Sequence, residues 1–187
     1  MIAAVGHADL TAATLELVES EVRDRLERTA AEAAVVRAGA GLPVALGRAV
    51  RAAGRRLVVL LAADGAAPAP LPPGDRRAAG ELLVLADRAG LVEFDPEDRA
   101  ACIGADERMI RTSRRLLAVW DGSPSDGRDA TAHLVAYARA RGVPVDVVWP
   151  EGATRRTGRP PHSAAQPDRA PSAPPARKGA DRVRHPA

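Results

Sequence analysis

The sequence predicts an α/β layer fold, a doubly wound and mainly parallel sheet with helices on both faces. Three observations predict it. Short β-type apolar runs alternate with longer stretches of helical period, and six such runs occur, enough for a sheet wound in both directions. A third is the stretch AVWDGSPSDGRDATAHLVAYA (118–138), in which an apolar run passes through a Gly-containing loop into a helix. That is the place where α/β proteins commonly hold phosphate, on backbone N–H groups and the helix dipole.

The elements follow in order. Ile2 to Val5 is the first strand. Leu15, Val18, Val22 and Leu26 then recur at three- and four-residue steps, which predicts a helix starting near Thr11, with Asp9 or Thr11 as its cap. Ala33 to Arg37 is the second strand, and Pro43 to Ala53 a helix with proline in its first turn, where a missing N–H is tolerated. Leu57 to Ala62 is the third strand. The Pro/Gly/Ala-rich segment 63–75 reads as an exposed connection or a lid. Arg77 to Ala89 is helical, Leu91 to Phe94 a strand, and Pro96 to Ser113 helical. Leu116 to Trp120 is the fifth strand. Ala130 to Arg141 is the last helix, closed by Arg139, Arg141 and the αL residue Gly142, and Pro144 to Trp149 is the sixth strand.

Charge divides the chain. Residues 1–152 hold 19 Arg against 22 Asp and Glu, whereas residues 153–187 hold 8 Arg and Lys against 2 Asp. The expected organisation is a folded body over 1–153 and a basic, Pro-, Ala- and Arg-rich tail over 154–187, too poor in large apolar residues to fold. The tail's charge predicts weak, salt-dependent and nonspecific contact with nucleic acid at most. Cys102 is the single cysteine, so no internal disulfide forms, and it reads as a small buried hydrophobe. The N-terminus lacks a leader pattern and no apolar stretch approaches the roughly 20 residues of a membrane span. A cytoplasmic protein without membrane association is expected. A P-loop, a Gly-x-Ser-x-Gly elbow, paired carboxylates at glycosidase spacing and Cys/His metal spacing are all missing from the sequence. No cofactor, metal or catalytic residue is assigned.

The runs VGHADLT (5–11), RAGAGLPVALGRAV (37–50), LLAVWDG (116–122), GRDAT (127–131) and VAYARARGVPVDVVWPEG (135–152) resemble the SLOG superfamily. These are Rossmann-like domains that include LONELY GUY-type phosphoribohydrolases, the DNA-processing protein A core and proposed sensors of nucleotide-derived ligands. The resemblance spans about residues 2–153. It implies a Rossmann-like fold, a nucleotide-derived small molecule as partner, a homodimer, and a crevice built from the loops after the first, second and fifth strands. Its candidate ligand-binding residues here are Gly6, His7, Gly39, Gly41, Asp121, Gly122, Gly127, Arg128 and Thr131.

Each of those loops departs from the family pattern. Val5 and Ala8 replace a threonine and an arginine around Gly6 and His7. Leu42 and Pro43 replace Ala-Asp, and Arg114 replaces the aspartate after Ser113. Asp129 and Ala130 replace Gly-Gly before Thr131. Leu134 stands where phosphoribohydrolases carry a helping glutamate. Pro43 removes a backbone donor, and Asp129 is expected to cap the last helix and put a negative charge where phosphate would lie. His7 serves either a ligand or the neighbouring backbone. His133 reads as a partly exposed polar residue. Trp120 and Trp149 are expected on one side of the sheet, as packing groups or as a stacking platform. The function expected is a noncatalytic binding or sensing module for a nucleotide-like molecule, its site partly eroded. The alternatives are a nucleoside monophosphate phosphoribohydrolase and a ligand-free interaction scaffold.

Overall fold

The computed structural model describes residues 1–29, 33–126 and 129–156. Seven strands form one sheet: β1 (Ile2–Gly6), β2 (Ala33–Arg37), β3 (Arg56–Asp64), β4 (Ala67–Pro68), β5 (Arg88–Glu93), β6 (Arg115–Val119) and β7 (Val145–Val148). Six of them are parallel, in the order β5-β3-β2-β1-β6-β7, and β4 folds back antiparallel on the end of β3. Five helices connect them: α1 (Ala12–Glu27), α2 (Leu42–Ala52), α3 (Pro73–Leu85), α4 (Arg99–Arg111) and α5 (Thr131–Ala140).

The two faces follow from side-chain alternation along β1, β2, β3 and β6. Ile2, Ala4, Val36, Leu57, Val59 and Leu117 face Val18 and Val22 of α1, Leu46 and Val50 of α2 and Leu82 of α3. Ala3, Val5, Val35, Leu116 and Ala118 face Met109 and Ile110 of α4 and Leu134 and Val135 of α5. The fold is therefore Rossmann-like and doubly wound. The chain winds outward from β1 through β2 and β3 to β5, crosses back by α4, and continues through β6 and β7 on the other side. The direction reverses between β1 and β6, and the crevice outside their carboxyl ends is the position where such sheets hold ligands.

Thr11 caps α1, its hydroxyl accepting the Thr14 N–H at 3.2 Å, and Asp98 caps α4 by accepting the Ala100 N–H at 2.9 Å. The 63–75 segment is more structured than the exposed connection expected: β3 runs on to Asp64, β4 pairs with it, and α3 already begins at Pro73. The expected helix over 77–89 ends at Leu85, and β5 takes Arg88 to Gly90, a stretch without an apolar signature that pairing with Val58 to Leu60 makes a strand. Trp120 and Trp149 lie on opposite faces, against the α4/α5 and α1/α2 layers respectively, because β7 ends at Val148 and the turn after it breaks the alternation.

Thr154, Arg155 and Arg156, assigned by composition to the tail, bond to the body. The Thr154 N–H donates to Thr14 Oγ1 at 2.7 Å, the Arg156 N–H to the Asp9 carbonyl at 2.6 Å, and Arg155 Nε to both Asp9 carboxylate oxygens at 2.9 and 3.1 Å. Truncation after Ala153 is therefore expected to lower the melting temperature by several degrees, whereas truncation after Arg156 keeps all these bonds. Differential scanning calorimetry of the two truncations checks this.

Gly6 is held by packing. A Cβ there would lie 2.5 Å from the Val119 carbonyl oxygen and 2.6 Å from a methyl of Leu42. Gly6→Ala is expected to destabilise by about 2 kcal/mol, the scale of overpacking in a close-packed interior, as read by urea denaturation.

Candidate functional site

The crevice at the reversal point is organised by His7, the first residue after β1. Its ring is fully buried, with Nδ1 2.7 Å from Asp129 Oδ2 and Nε2 2.9 Å from Asp121 Oδ1. Trp149 meets the ring edge-on at 5.7 Å. Burial opposes the charged imidazolium, but the hydrogen bond and charge of Asp129, joined by Asp121, outweigh it, and the His7 pKa is raised. Asp129 answers in the opposite direction: burial opposes ionisation, yet bonds from His7 and Thr131 lower its pKa to about 2. Asp121 is held well below the carboxylate range, partial burial being overcome by bonds from Ser123 and His7.

This arrangement closes the N-terminus of α5. Asp129 Oδ1 accepts the Thr131 hydroxyl at 2.7 Å and the Thr131 N–H at 3.2 Å, and Ser125 Oγ accepts the His133 N–H at 2.9 Å. Two of the donors that a phosphate would use at a helix N-terminus are thus satisfied by the chain itself. Asp129 takes the first N–H as expected, but from the position before the cap residue Ala130 and as a buried group, 7% exposed.

Beside the His7 ring lies a cavity of about 220 Å³ at the carboxyl ends of β1 and β2, lined among others by Gly6, His7, Gly39, Pro43 and Leu134. Its charged groups besides His7 come from β2, α3 and α4. Arg37, ending β2, forks onto Asp106 of α4 at 2.8 and 3.1 Å, and Asp75 of α3 accepts the Ala40 N–H at 2.9 Å. Asp75 stands near the N-terminus of α2, where Pro43 has no N–H and Val44 and Ala45 already donate to the Gly41 carbonyl. Both helix ends at the crevice therefore have a carboxylate of the chain beside them, and the Arg37 guanidinium in the cavity is engaged by Asp106.

The residues expected at the site divide accordingly. Gly6, His7 and Gly39 line the cavity; a Cβ on Gly6 would collide with Leu42 and Val119, whereas one on Gly39 would meet the Pro43 ring at an ordinary 3.6 Å. Gly41 precedes α2 with φ 73°, a conformation suited to glycine, and faces the groove between α1, α2 and α3. Asp121 and Thr131 belong to the His7 network, and Gly122 turns the chain at φ 88°. Gly127 and Arg128 lie outside the described residues. His133 is half exposed and pairs with Glu107 at 2.7 Å. Cys102 is only partly buried, its thiol pKa pushed up by desolvation.

Sequence reasoning missed Arg37, Asp75, Asp106, Ser125 and Arg155. The one available signal was the position of Arg37, at the carboxyl end of a strand in the crevice. A larger cavity, about 550 Å³, lies at the ends of β3 and β5 among Asp64, Glu93, Phe94, Asp95 and Glu97, away from the reversal point. Among the described residues no group of His, Cys, Asp and Glu could hold a metal ion, and no helix is long and apolar enough to cross a membrane.

Fold and crevice define a Rossmann-like α/β domain whose reversal-point site is lined by its own carboxylates. No protein-family model matches the sequence, and a search of curated proteins finds no match. Among solved structures, the molybdenum cofactor carrier protein MCP from Chlamydomonas reinhardtii is similar, with a TM-score of 0.48 and 17% identity, over 78% of this chain and 74% of that one.

Proposed function

We propose that the chain is a noncatalytic binding or sensing module for the uncharged part of a nucleotide-like molecule, a base or nucleoside. The observation that carries this reading is the 220 Å³ cavity at the reversal point. Its volume falls below the roughly 300 Å³ at which pockets for drug-sized ligands begin, so it suits a fragment of a nucleotide rather than the whole. Its charges, Asp75 and Asp106 against Arg37, with the His7 charge matched by Asp129, favour a ligand that donates hydrogen bonds and disfavour phosphate. The SLOG-like loops support a nucleotide-derived ligand. Leu134, buried in the wall where relatives with hydrolase activity place a glutamate, supports a noncatalytic role, because a leucine neither exchanges protons nor stabilises a cationic sugar.

Thermal-shift measurements with paired nucleosides and nucleoside monophosphates test the reading, since a ligand selective for the folded state raises its stability. At least one nucleoside or base is expected to raise the melting temperature, and its 5′-monophosphate to raise it less. A larger shift with the monophosphate would contradict the proposal.

The scaffold reading has an observation of its own. Leu83 and Val84 of α3 and Leu91 of the sheet-edge strand β5 are exposed at 43%, 87% and 44%. If no small molecule shifts the melting temperature, that reading takes precedence. The basic segment beyond Arg156 adds, on either reading, at most salt-dependent contact with nucleic acid.

A further inference from the structure

Nε2 of His7 has two partners that cannot be satisfied together. Asp121 Oδ1, 2.9 Å away, is an acceptor and needs a protonated Nε2, whereas the Asp121 backbone N–H, whose nitrogen is 3.2 Å away, is a donor and needs a bare one. Nδ1 has one partner in either state, the Asp129 carboxylate. The other Asp121 oxygen, Oδ2, lies 3.7 Å from a guanidinium nitrogen of Arg155, which also holds Asp9 and donates to Ser123 Oγ at 3.0 Å. One carboxylate thus stands between two cations, and one imidazole nitrogen has a replacement partner in place.

We propose that His7, Asp121 and Arg155 form a proton-driven switch: protonated His7 holds the Asp121 carboxylate, and deprotonated His7 releases it to Arg155 on the C-terminal segment. In the first state the imidazolium joins β1 to the loops after β6 and before α5. When Nε2 gives its proton to solvent, its lone pair repels Asp121 Oδ1 and accepts the Asp121 N–H instead. The carboxylate, still charged and with Oδ1 kept by the Ser123 N–H at 2.8 Å, swings Oδ2 to Arg155 and tightens segment 154–156 against Asp9. The charged groups around the ring are Asp129 ahead of α5, Asp121 after β6 and Arg155, which Asp9 anchors after β1. Arg37 of β2, Asp75 of α3 and Asp106 of α4 line the same cavity, and Trp149 after β7 supplies an uncharged wall. The carboxylates favour protonation of His7 and Arg155 opposes it. The inference does not depend on the ligand of the cavity.

The test is a pH titration of the ¹⁵N-labelled full chain by imidazole nitrogen correlations, with His133, His162 and His185 replaced to leave His7 alone. As pH rises Nε2 is expected to lose its proton while Nδ1 keeps its own, and backbone exchange protection at 154–156, corrected for intrinsic rates, is expected to rise at the same midpoint. Asp121→Asn is expected to lower the midpoint and abolish the pH dependence of that protection. Arg155→Gln is expected to raise the midpoint. Loss of the proton from Nδ1 first, protection indifferent to pH, or persistence of its pH dependence in Asp121→Asn would each overturn the proposal, even if Arg155→Gln fails to fold.

Discussion

Asp129→Ala is expected to destabilise the protein by about 3 to 5 kcal/mol, the cost of removing one partner from a buried charge pair. That is several times the roughly 1 kcal/mol of an ordinary helix cap. Asp129 ties three elements at once: it accepts from the His7 ring after β1 and from both polar groups of Thr131 at the start of α5. Its removal leaves His7, with no exposed surface, dependent on Asp121 alone. Urea denaturation measures the loss, and a loss near 1 kcal/mol would show that Asp129 acts only as a cap. The same network sets a pH dependence. The Asp129 contribution is fully present above its unfolded pKa of 3.8 and lost as pH falls through about 2. That of His7, whose folded pKa is raised, is fully present below 6.5 and lost as pH climbs through the raised value. The network therefore stabilises most between about pH 4 and 6.5, and Asp129→Ala should flatten this window.

Leu42→Ala is expected to cost about 2 to 5 kcal/mol, as buried leucine truncations do, with the spread set by how far the site collapses. Leu42 is 3% exposed and its methyl closes on Gly6, at the floor of the cavity. The substitution enlarges the cavity, so melting-temperature shifts with nucleosides should grow even as the ligand-free protein weakens. Stability lost without any gain in ligand response would show that Leu42 is core alone. Restoring Gly-Gly at 129 and 130 is a different matter, because it removes the His7 partner along with the charge.

The legible part of the fold is the part written in local periodicity. The α1 stripe Leu15, Val18, Val22 and Leu26, and the apolar runs of β1, β2, β3 and β6, specify both element and face within a few residues. Segments whose structure depends on pairing stayed hidden. Arg88-Ala89-Gly90 carries no strand signal and becomes one only beside Val58 to Leu60. Ala67-Pro68 becomes a strand only against Ala63 and Asp64. At the site, Asp129 was legible as the group that takes the first N–H of α5, since a cap is a local motif. Its bond to His7, 122 residues distant, was not, nor was the Arg37 fork onto Asp106 across 69 residues. Charge pairs of that separation carry no period or spacing. Docking of Thr154 to Arg156 was masked by composition, because polar residues next to a Pro- and Arg-rich stretch look like the beginning of it.

The anion positions of this crevice are filled by the chain's own carboxylates. A ³¹P NMR titration of a nucleoside 5′-monophosphate with the full chain tests this directly, at an ionic strength high enough to screen the basic segment. No saturable shift or broadening of the phosphate signal is expected, even with a base whose nucleoside raises the melting temperature. A saturable phosphate response that Asp75→Asn or Asp129→Asn strengthens would show instead that a phosphate still reaches the helix ends.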